Sequence, residues 1–326
     1  MTQAIRIYAA GTPDVIQVED VPVAAPGAGE VRIRHDAIAL NFADTYFRDG
    51  TYPIPLPSGL GVEAAGVVED VGPGVTDFRV GDRVAYTGFL NTLGAYSAAR
   101  VLPTSLLIRL PDALPSDLAA AVVTRGLTAA YLLRRLHRFQ PGDTILLHAA
   151  AGGLGLIMSQ WARLLGLRVI GTVSTAEKAA VAAAHGCEHI INYSQEDVPA
   201  RVAALTDGRG VDVVFDSVGR TTFEGSLDAL RPRGLMVCVG TASGTIEPFD
   251  PQTLARKGSL FLTRPALADY IGDPQERNAL ATELFDLVTA GRIQMAVQHR
   301  YALQDAAQAH RDLEARRTIG ASILVP

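Results

Sequence analysis

The sequence predicts an α/β protein with a doubly wound parallel sheet, preceded by a small β-barrel. Three observations predict it. The segment Asp143–Thr175 reads as strand, glycine turn, helix and second strand. From there to about Arg264, short apolar runs alternate with segments of helical composition. Before Ser116 the chain is rich in valine, glycine and proline, and several stretches alternate polar with apolar residues. Strand–helix alternation implies parallel strands covered on both faces, whereas period-two stretches joined by turns imply antiparallel pairing.

In chain order, Glu30–Ala39 alternates as a half-buried strand does, and Gly61–Val71 and Arg79–Tyr86 flank the turn GPGVTDF as a strand pair. Gly94–Leu102 reads as a further strand leading out of the barrel, whose strands are short and closely spaced. Asp117–Arg138 is rich in alanine and leucine and is predicted helical, broken near Gly126. Strands are then expected at Ile145–His148, Arg168–Thr172, His189–Ile191, Asp212–Asp216, Leu235–Val239 and Ser259–Thr263. Ala176–His185 and Thr222–Leu230 between them have helical composition, and after Arg264 a helical stretch, Glu276–Ala290, leads to Ala302–Arg316 and a last strand at Ser322–Val325. No repeat beyond this alternation and no low-complexity segment is visible.

The glycine turn carries the first functional inference. Ile145, Leu146 and Leu147 form a run suited to a strand buried on both faces, and Gly152, Gly153 and Gly155 follow it, ahead of a helical pattern from Leu156 to Leu165. Glycine lets the backbone approach a pyrophosphate, and N–H groups at a helix start face its oxygens. The motif is A-x-x-G-x-x-G, with Ala149, Gly152 and Gly155 at the key places. Trp161, by its spacing from Leu154, Ile157 and Leu165, belongs to the core.

An absence narrows the cofactor. A site for NAD usually has an acid at the end of the second strand, bonding the ribose 2′-hydroxyl. Here the strand runs out into Ser174, Thr175, Ala176, Glu177 and Lys178, and Glu177 falls on the helix start. Ser174 can donate to a 2′-phosphate and Lys178 can supply charge, so NADPH is favoured over NADH. Lys178 taken alone would read as a solvated helix residue.

Composition sets further bounds. A chain of 326 residues, 48% hydrophobic, is ample for two domains. The net charge of −5 argues against nucleic acid as a partner. The densest basic run, Arg134, Arg135, His137 and Arg138, reads as the solvated face of a helix. Cys187 and Cys238 form no C-x-x-C pair, so a disulfide framework and a four-cysteine zinc site are not expected. Without an apolar leader or a run of membrane-spanning length, a cytoplasmic protein with no membrane partner is expected.

The order of barrel, dinucleotide unit and helical return resembles the medium-chain dehydrogenase/reductase superfamily. The strings NFADTYFRDGTYPIPLPSGLGVEAAGVVEDVG, YLLR, HAAAGGLG, FDSVGR and KGSLFLTRP are similar to those of zeta-crystallin-type NADPH:quinone oxidoreductases. The resemblance covers essentially the whole chain. It implies a GroES-like β-barrel catalytic domain at residues 1–124 and 265–326, and a Rossmann NADPH-binding domain at residues 125–264. Zinc-dependent relatives carry a cysteine and a histidine as catalytic ligands, where this chain has Asn41 and, in Gly61-Val62-Glu63, a valine. A catalytic zinc needs about three good protein ligands, and the seven scattered histidines supply H-x-x-x-H spacing only at His185 and His189. His185 and His189 are separated by Gly186, which is expected to end a helix. No metal is expected.

Hydride transfer asks a protein to hold the nicotinamide against its acceptor and to stabilise developing charge on oxygen. The resemblance implies that the loop Asn41–Tyr52 lines that side, with Asn41, Asp44, Tyr46 and Tyr52 as site residues. Tyr46 and Tyr52 can stack on flat rings or donate to a quinone oxygen; by composition alone they would be ordinary amphipathic tyrosines. Asp44 either takes part in the chemistry or serves structure, orienting Asn41 or capping a short helix that begins near Phe42. No dedicated proton donor is evident, and water is the expected source.

For the cofactor, the resemblance implies Phe42, Tyr131 near the carboxamide, and Gly152, Gly153, Leu154 and Gly155 at the pyrophosphate. Ser174, Lys178, Tyr193 and Arg316 match positions around the 2′-phosphate, where Arg316 competes with Arg317. Val218 and the segment Val239–Ala242, including Thr241, would line the adenine, ribose or nicotinamide sides. The expected function is NADPH-dependent quinone reduction. Reduction of an enone or alkenal double bond is the enzymatic alternative, and an RNA-binding or structural role is the third. A homodimer is expected, through the sheet edge near Gly258–Thr263.

Overall fold

The computed structural model of the protein describes residues 1–88 and 92–326. It divides into two compact units, Met1–Thr128 with Tyr270–Pro326, and Ala129–Asp269.

The first unit is built on two sheets. The strands β1 (Thr2–Ile7) and β2 (Gln17–Val21) pair antiparallel, a hairpin that the sequence reading missed. β3 (Glu30–Leu40) leads into the helix α1 (Phe42–Asp49). The two-residue β4 (Ser58–Gly59) returns to β1. β5 (Glu63–Val71), β6 (Arg83–Thr87), β7 (Ala99–Pro103) and β8 (Leu107–Arg109) complete the N-terminal strands, and α2 (Ser116–Arg134) follows.

β3 organises the larger sheet. One edge pairs with β5, while its first half pairs on the other edge with β7. Register shifts at Arg32/Ile33 and His35/Ala37 bend it, as bulges do. Gly66 on β5 permits the close approach at the second of these, since a Cβ there would lie 2.0 Å from the Arg34 carbonyl oxygen. Its inward residues Ile33, Ile38 and Leu40 join Ile5, Phe47, Val68, Val84, Tyr86 and Tyr96 in one core.

The strand expected at Gly94–Leu102 is shorter and lies elsewhere. β7 starts only at Ala99 and pairs with β3 inside the sheet rather than leading out of it. Residues before it are held by loop hydrogen bonds, with Gly94 N–H donating to Gly61 O and Tyr96 N–H to Leu60 O.

The second unit is a six-stranded sheet, parallel throughout. Its elements are β9 (Thr144–Leu147), α3 (Gly153–Leu164), β10 (Arg168–Val173), α4 (Ala176–Ala184), β11 (His189–Asn192), α5 (Val198–Leu205) and β12 (Val211–Asp216). Then come α6 (Phe223–Asp228), β13 (Leu230–Cys238), α7 (Gln252–Arg256), β14 (Phe261–Thr263) and α8 (Leu267–Ile271). The strand order is β11-β10-β9-β12-β13-β14, with all pairs parallel. β9 and β12 are neighbours although three elements of chain separate β10 from β12, so the order reverses there. Ligands of such sheets bind outside the carboxyl ends at that switch point. Trp161, 1% exposed, is core as the spacing predicts.

At the opposite ends of the strands, burial would raise the Asp212 carboxyl. Hydrogen bonds from Arg209, Arg231 and the Thr144 N–H outweigh it and bring the carboxyl down to about 2.

The chain returns to the first unit through α9 (Pro274–Thr289), β15 (Val297–Ala302), α10 (Ala306–Glu314) and β16 (Ala321–Val325). β16 pairs with the C-terminal half of β3. Two helix expectations are corrected. α2 runs unbroken through Gly126, because the glycine serves packing: a Cβ would lie 2.3 Å from Leu284 Cδ2 on α9. Of the basic run, only Arg134 lies within α2, and Arg135, His137 and Arg138 follow its end.

Candidate active site

In the second unit the glycine turn sits at the carboxyl end of β9. Ala149 takes the left-handed conformation, φ 55°, in the place where a dinucleotide turn usually has glycine. Gly152 N–H closes the turn on Ala149 O at 2.9 Å, and α3 opens at Gly153, three residues earlier than its apolar pattern suggests. Gly152, as N-cap, offers no side chain to the first N–H groups of α3, so these donors face outward without an intrahelical acceptor. Gly155 has a different task. A Cβ there would lie 2.6 Å from Ala149 O and 2.7 Å from Ala150 O, so this glycine lets helix and turn close on each other.

Beneath the turn lies a polar network that sequence reasoning did not find. Buried His148 joins Thr172 Oγ1 through Nδ1 and Ser226 Oγ through Nε2, both at 3.0 Å. Ser226 donates to Asp216 Oδ2, and Asp216 Oδ1 accepts from the N–H groups of Val218 and Gly219. Burial pushes His148 below its ordinary value, against the pull of Asp216. The network ties together the ends of β9, β10 and β12. Val218 O in turn accepts from Ser243 N–H at 2.7 Å, and Val239 N–H donates to Asp216 O. Val218, Val239 and buried Thr241 therefore belong to two loops zipped side by side. The only sequence signal for Asp216 was its place in FDSVGR.

Ser174, Lys178 and Tyr193 come together around the ends of β10 and β11, where Val173 and Asn192 are register partners. Thr175 caps α4 by accepting the Lys178 N–H, which places Lys178 in the first turn. Ser194 Oγ donates to Ser174 O at 3.2 Å, and Tyr193 is 41% exposed. Glu177 lies on that first turn, beyond the end of the strand. Tyr131 is buried in the last part of α2.

In the first unit, most of the segment Asn41–Tyr52 is the helix α1 rather than a loop. Its start is a reciprocal pair: Asn41 N–H donates to Asp44 Oδ2 at 2.8 Å, and Asp44 N–H donates to Asn41 O at 3.0 Å. Asn41 Nδ2 donates to Glu63 Oε2 at 2.8 Å, and Glu63 Oε1 accepts the Thr124 N–H. Asp44 thus orients Asn41 and caps the helix. Rings pack along the same segment, Phe42 on Tyr46 at 5.5 Å, Tyr46 on Tyr52 at 5.0 Å and Phe47 on Tyr52 at 5.7 Å.

Both carboxyls here are buried. Burial raises Asp44 to about 7, against hydrogen bonds from Asn41 N–H and Tyr96 OH; the Glu63 charge adds to the rise and Arg125 opposes it. Burial also raises Glu63, opposed by Arg125, Asn41 and Thr124. Glu63, Tyr96 and Arg125 were not foreseen, because long-range partners of a buried carboxyl leave no periodic signal.

At the C-terminal end of the first unit, Arg317 is engaged by Asp312 at 2.5 Å, and Asp312 is also held by Tyr301. Arg316 is exposed, with φ 58° just past the end of α10.

The family model described as the alcohol dehydrogenase GroES-like domain matches residues 27–112, and that of the zinc-binding dehydrogenases matches residues 153–267. A quinone oxidoreductase of Pseudomonas aeruginosa is 50% identical over the full length of both chains. The chain belongs to the zeta-crystallin-type quinone oxidoreductases of the medium-chain dehydrogenase/reductase superfamily. A 2-haloacrylate reductase of Burkholderia sp. is 48% identical, covering 100% of this chain and 99% of the relative. The solved Escherichia coli quinone oxidoreductase in complex with NADPH superposes with a TM-score of 0.97 at 45% identity, covering 99% of this chain and 100% of that one.

Within this family, the zinc of the dehydrogenase branch does not fit the residues present. Asn41 spends its amide on Glu63, and Val62, 3% exposed, is core. Among the described residues, no group of three or more histidine, cysteine, aspartate and glutamate side chains is placed to hold a metal.

Proposed function

We propose that the protein reduces a quinone with NADPH, and does so without a metal. Relatives sharing 45–50% of its residues over the whole chain are named quinone oxidoreductases, and the Escherichia coli structure was solved with NADPH. The observation that carries the cofactor choice is the rim of β10 and β11. It offers Ser174, Lys178 and Tyr193 where an NAD site would have an acid. A 2′-phosphate suits a hydroxyl and an ammonium, whereas a carboxylate would repel it.

The fit of the dinucleotide rests on the turn. Uncapped N–H groups at the start of α3 hold the pyrophosphate, and Gly152 leaves the backbone bare for its approach. When bound, NADPH supplies the hydride. Val218, Val239, Thr241, Tyr131 and Phe42 are assigned to the rest of the cofactor. Arg316 is assigned to the 2′-phosphate by its place counted back from the C-terminal proline. Asn41, Tyr46 and Tyr52 are assigned to the acceptor: the Tyr46 and Tyr52 rings stack on a planar substrate, and their hydroxyls stabilise charge developing on its oxygen. Asp44 acts on Asn41 rather than on the substrate. Residues 1–124 and 265–326 form the substrate-side domain, and residues 125–264 the cofactor domain.

A second reading is favoured by the 2-haloacrylate reductase at 48% identity. Quinones and activated alkenes are both planar conjugated acceptors. Steady-state NADPH oxidation against quinones, enones and 2-haloacrylates separates the readings, and much higher kcat/KM for an alkene would replace the quinone assignment. Among the described residues, no helix is long and apolar enough to cross a membrane; a cytoplasmic location is part of the same proposal. We further infer a homodimer through β14, an edge strand on which Phe261 is 62% and Leu262 37% exposed. Sedimentation at micromolar concentration tests it, and a monomer would refute it.

A further inference from the structure

Asp44 is the end point of a chain of buried donors that begins at a guanidinium. Arg48 on α1 is 2% exposed. It donates through Nε to Gly11 O, forms a bidentate pair with Glu314, and donates through Nη1 to His310 Nδ1 at 3.2 Å. Because a guanidinium has only donors, His310 Nδ1 must accept, and the ring proton of this neutral imidazole sits on Nε2. His310 Nε2 lies 3.2 Å from Tyr96 Oη, so Nε2–H donates to the phenol. The phenol donates in turn to Asp44 Oδ2 at 3.0 Å. The sequence of donors therefore runs one way, Arg48 to His310 to Tyr96 to Asp44.

The two oxygens of Asp44 are used unequally. Oδ2 accepts from both Asn41 N–H and Tyr96 OH, whereas Oδ1 is buried and, among the described residues, has no hydrogen-bond partner. A buried carboxylate oxygen without a donor favours protonation at that oxygen. Charges on the surrounding elements are divided. Glu63 on β5 favours the neutral acid, and Arg125 on α2 favours the carboxylate, as does the donor chain that reaches α10 through His310. His310 itself is held neutral, burial and then Arg48 bringing it to about 3.

Resting on the quinone-reductase reading, we propose that Tyr96 and His310 are positioning residues for hydride transfer. They set the proton occupancy of Asp44, and that occupancy sets how firmly the Asn41 end of α1 is held. The carboxylate accepts the Asn41 N–H more strongly than the neutral acid and suits a helix N-terminus better. Deprotonation of Asp44 thus tightens Asn41 and, one turn along, the ring packing of Phe42 and Tyr46. Tyr96 and His310 touch neither cofactor nor substrate in this role.

The test has an arm that needs no substrate. Infrared titration of the protein labelled with 13C at aspartate carboxyls should reveal a labelled COOH band titrating near pH 7 that is lost in Asp44→Asn. In Tyr96→Phe the midpoint should rise by about one pH unit, because a donor to the carboxylate is lost. His310→Leu should move it the same way. His310→Gln, which keeps a donor near the place of Nε2, should restore it. With NADPH and a quinone, the pH profile of kcat should show an inflection that moves with the band. A labelled band absent between pH 5 and 9 would overturn the proposal, as would a midpoint unmoved in folded Tyr96→Phe. A band that behaves as stated, with no quinone turnover at any pH, would instead sink the functional reading.

Discussion

Asn41 donates its side-chain amide to Glu63 Oε2 at 2.8 Å, a bond between the residue at the zinc-cysteine place of metal-dependent relatives and a fully buried carboxyl. Glu63 accepts from Asn41 with one oxygen and from the Thr124 N–H with the other, so both oxygens meet donors. Glu63→Gln would turn an NH2 group toward one of those donors. A buried donor left without an acceptor costs about 1–3 kcal/mol. Denaturant unfolding of the variant should register that loss, and unchanged stability would refute the pairing.

The buried acid of Asp44 makes stability depend on pH. Its folded value of about 7 exceeds the ordinary 3.8, so the folded state holds the proton more tightly and stability falls as pH rises through that window. The difference in unfolding free energy between wild type and Asp44→Asn should therefore shift against the wild type by about 4 kcal/mol from pH 4 to pH 8. His35 and His310, lowered to about 4 and about 3, act in the opposite sense and are present in both proteins. A pH-independent difference would contradict the burial of this charge.

Gly155→Ala places a methyl 2.6 Å from Ala149 O, which the backbone can relieve only by opening the turn. NADPH affinity should drop at least tenfold, equivalent to about 1.4 kcal/mol. Quenching or enhancement of NADPH fluorescence on titration measures it, and wild-type affinity would show that the turn does not hold the cofactor.

Lys178→Ala removes the cation at the rim of β10 and should weaken NADPH roughly tenfold or more, as expected for a charge-assisted bond of about 1.5–3 kcal/mol. NADH affinity should stay as it was. Equal losses for the two cofactors would reject the 2′-phosphate assignment.

Gly126→Ala puts a methyl against Leu284 Cδ2 at 2.3 Å. Overpacking of this kind costs about 1–3 kcal/mol, and thermal unfolding should show a lower Tm. A higher Tm, the usual result of replacing a helical glycine, would mean that α2 and α9 can separate at no cost.

Local pattern alone determined the parallel sheet, the glycine turn and the lack of an acid after β10. These are written in contiguous residues, because strand burial, glycine backbone freedom and helix capping act over a few positions. It also placed Trp161 in the core and ended α4 ahead of Gly186. The misreadings were of residues whose role is set from afar. Gly126 reads as a helix break until Leu284 is packed against it, and Gly94–Leu102 reads as one strand until Gly61 and Leu60 draw its first half into a loop. Only the tertiary structure decided that Asp44 meets Tyr96 and that His310 lies behind it, residues 52 and 214 positions apart along the chain in those two contacts. A buried charge must find its donors wherever the fold brings them, and no periodicity records that requirement.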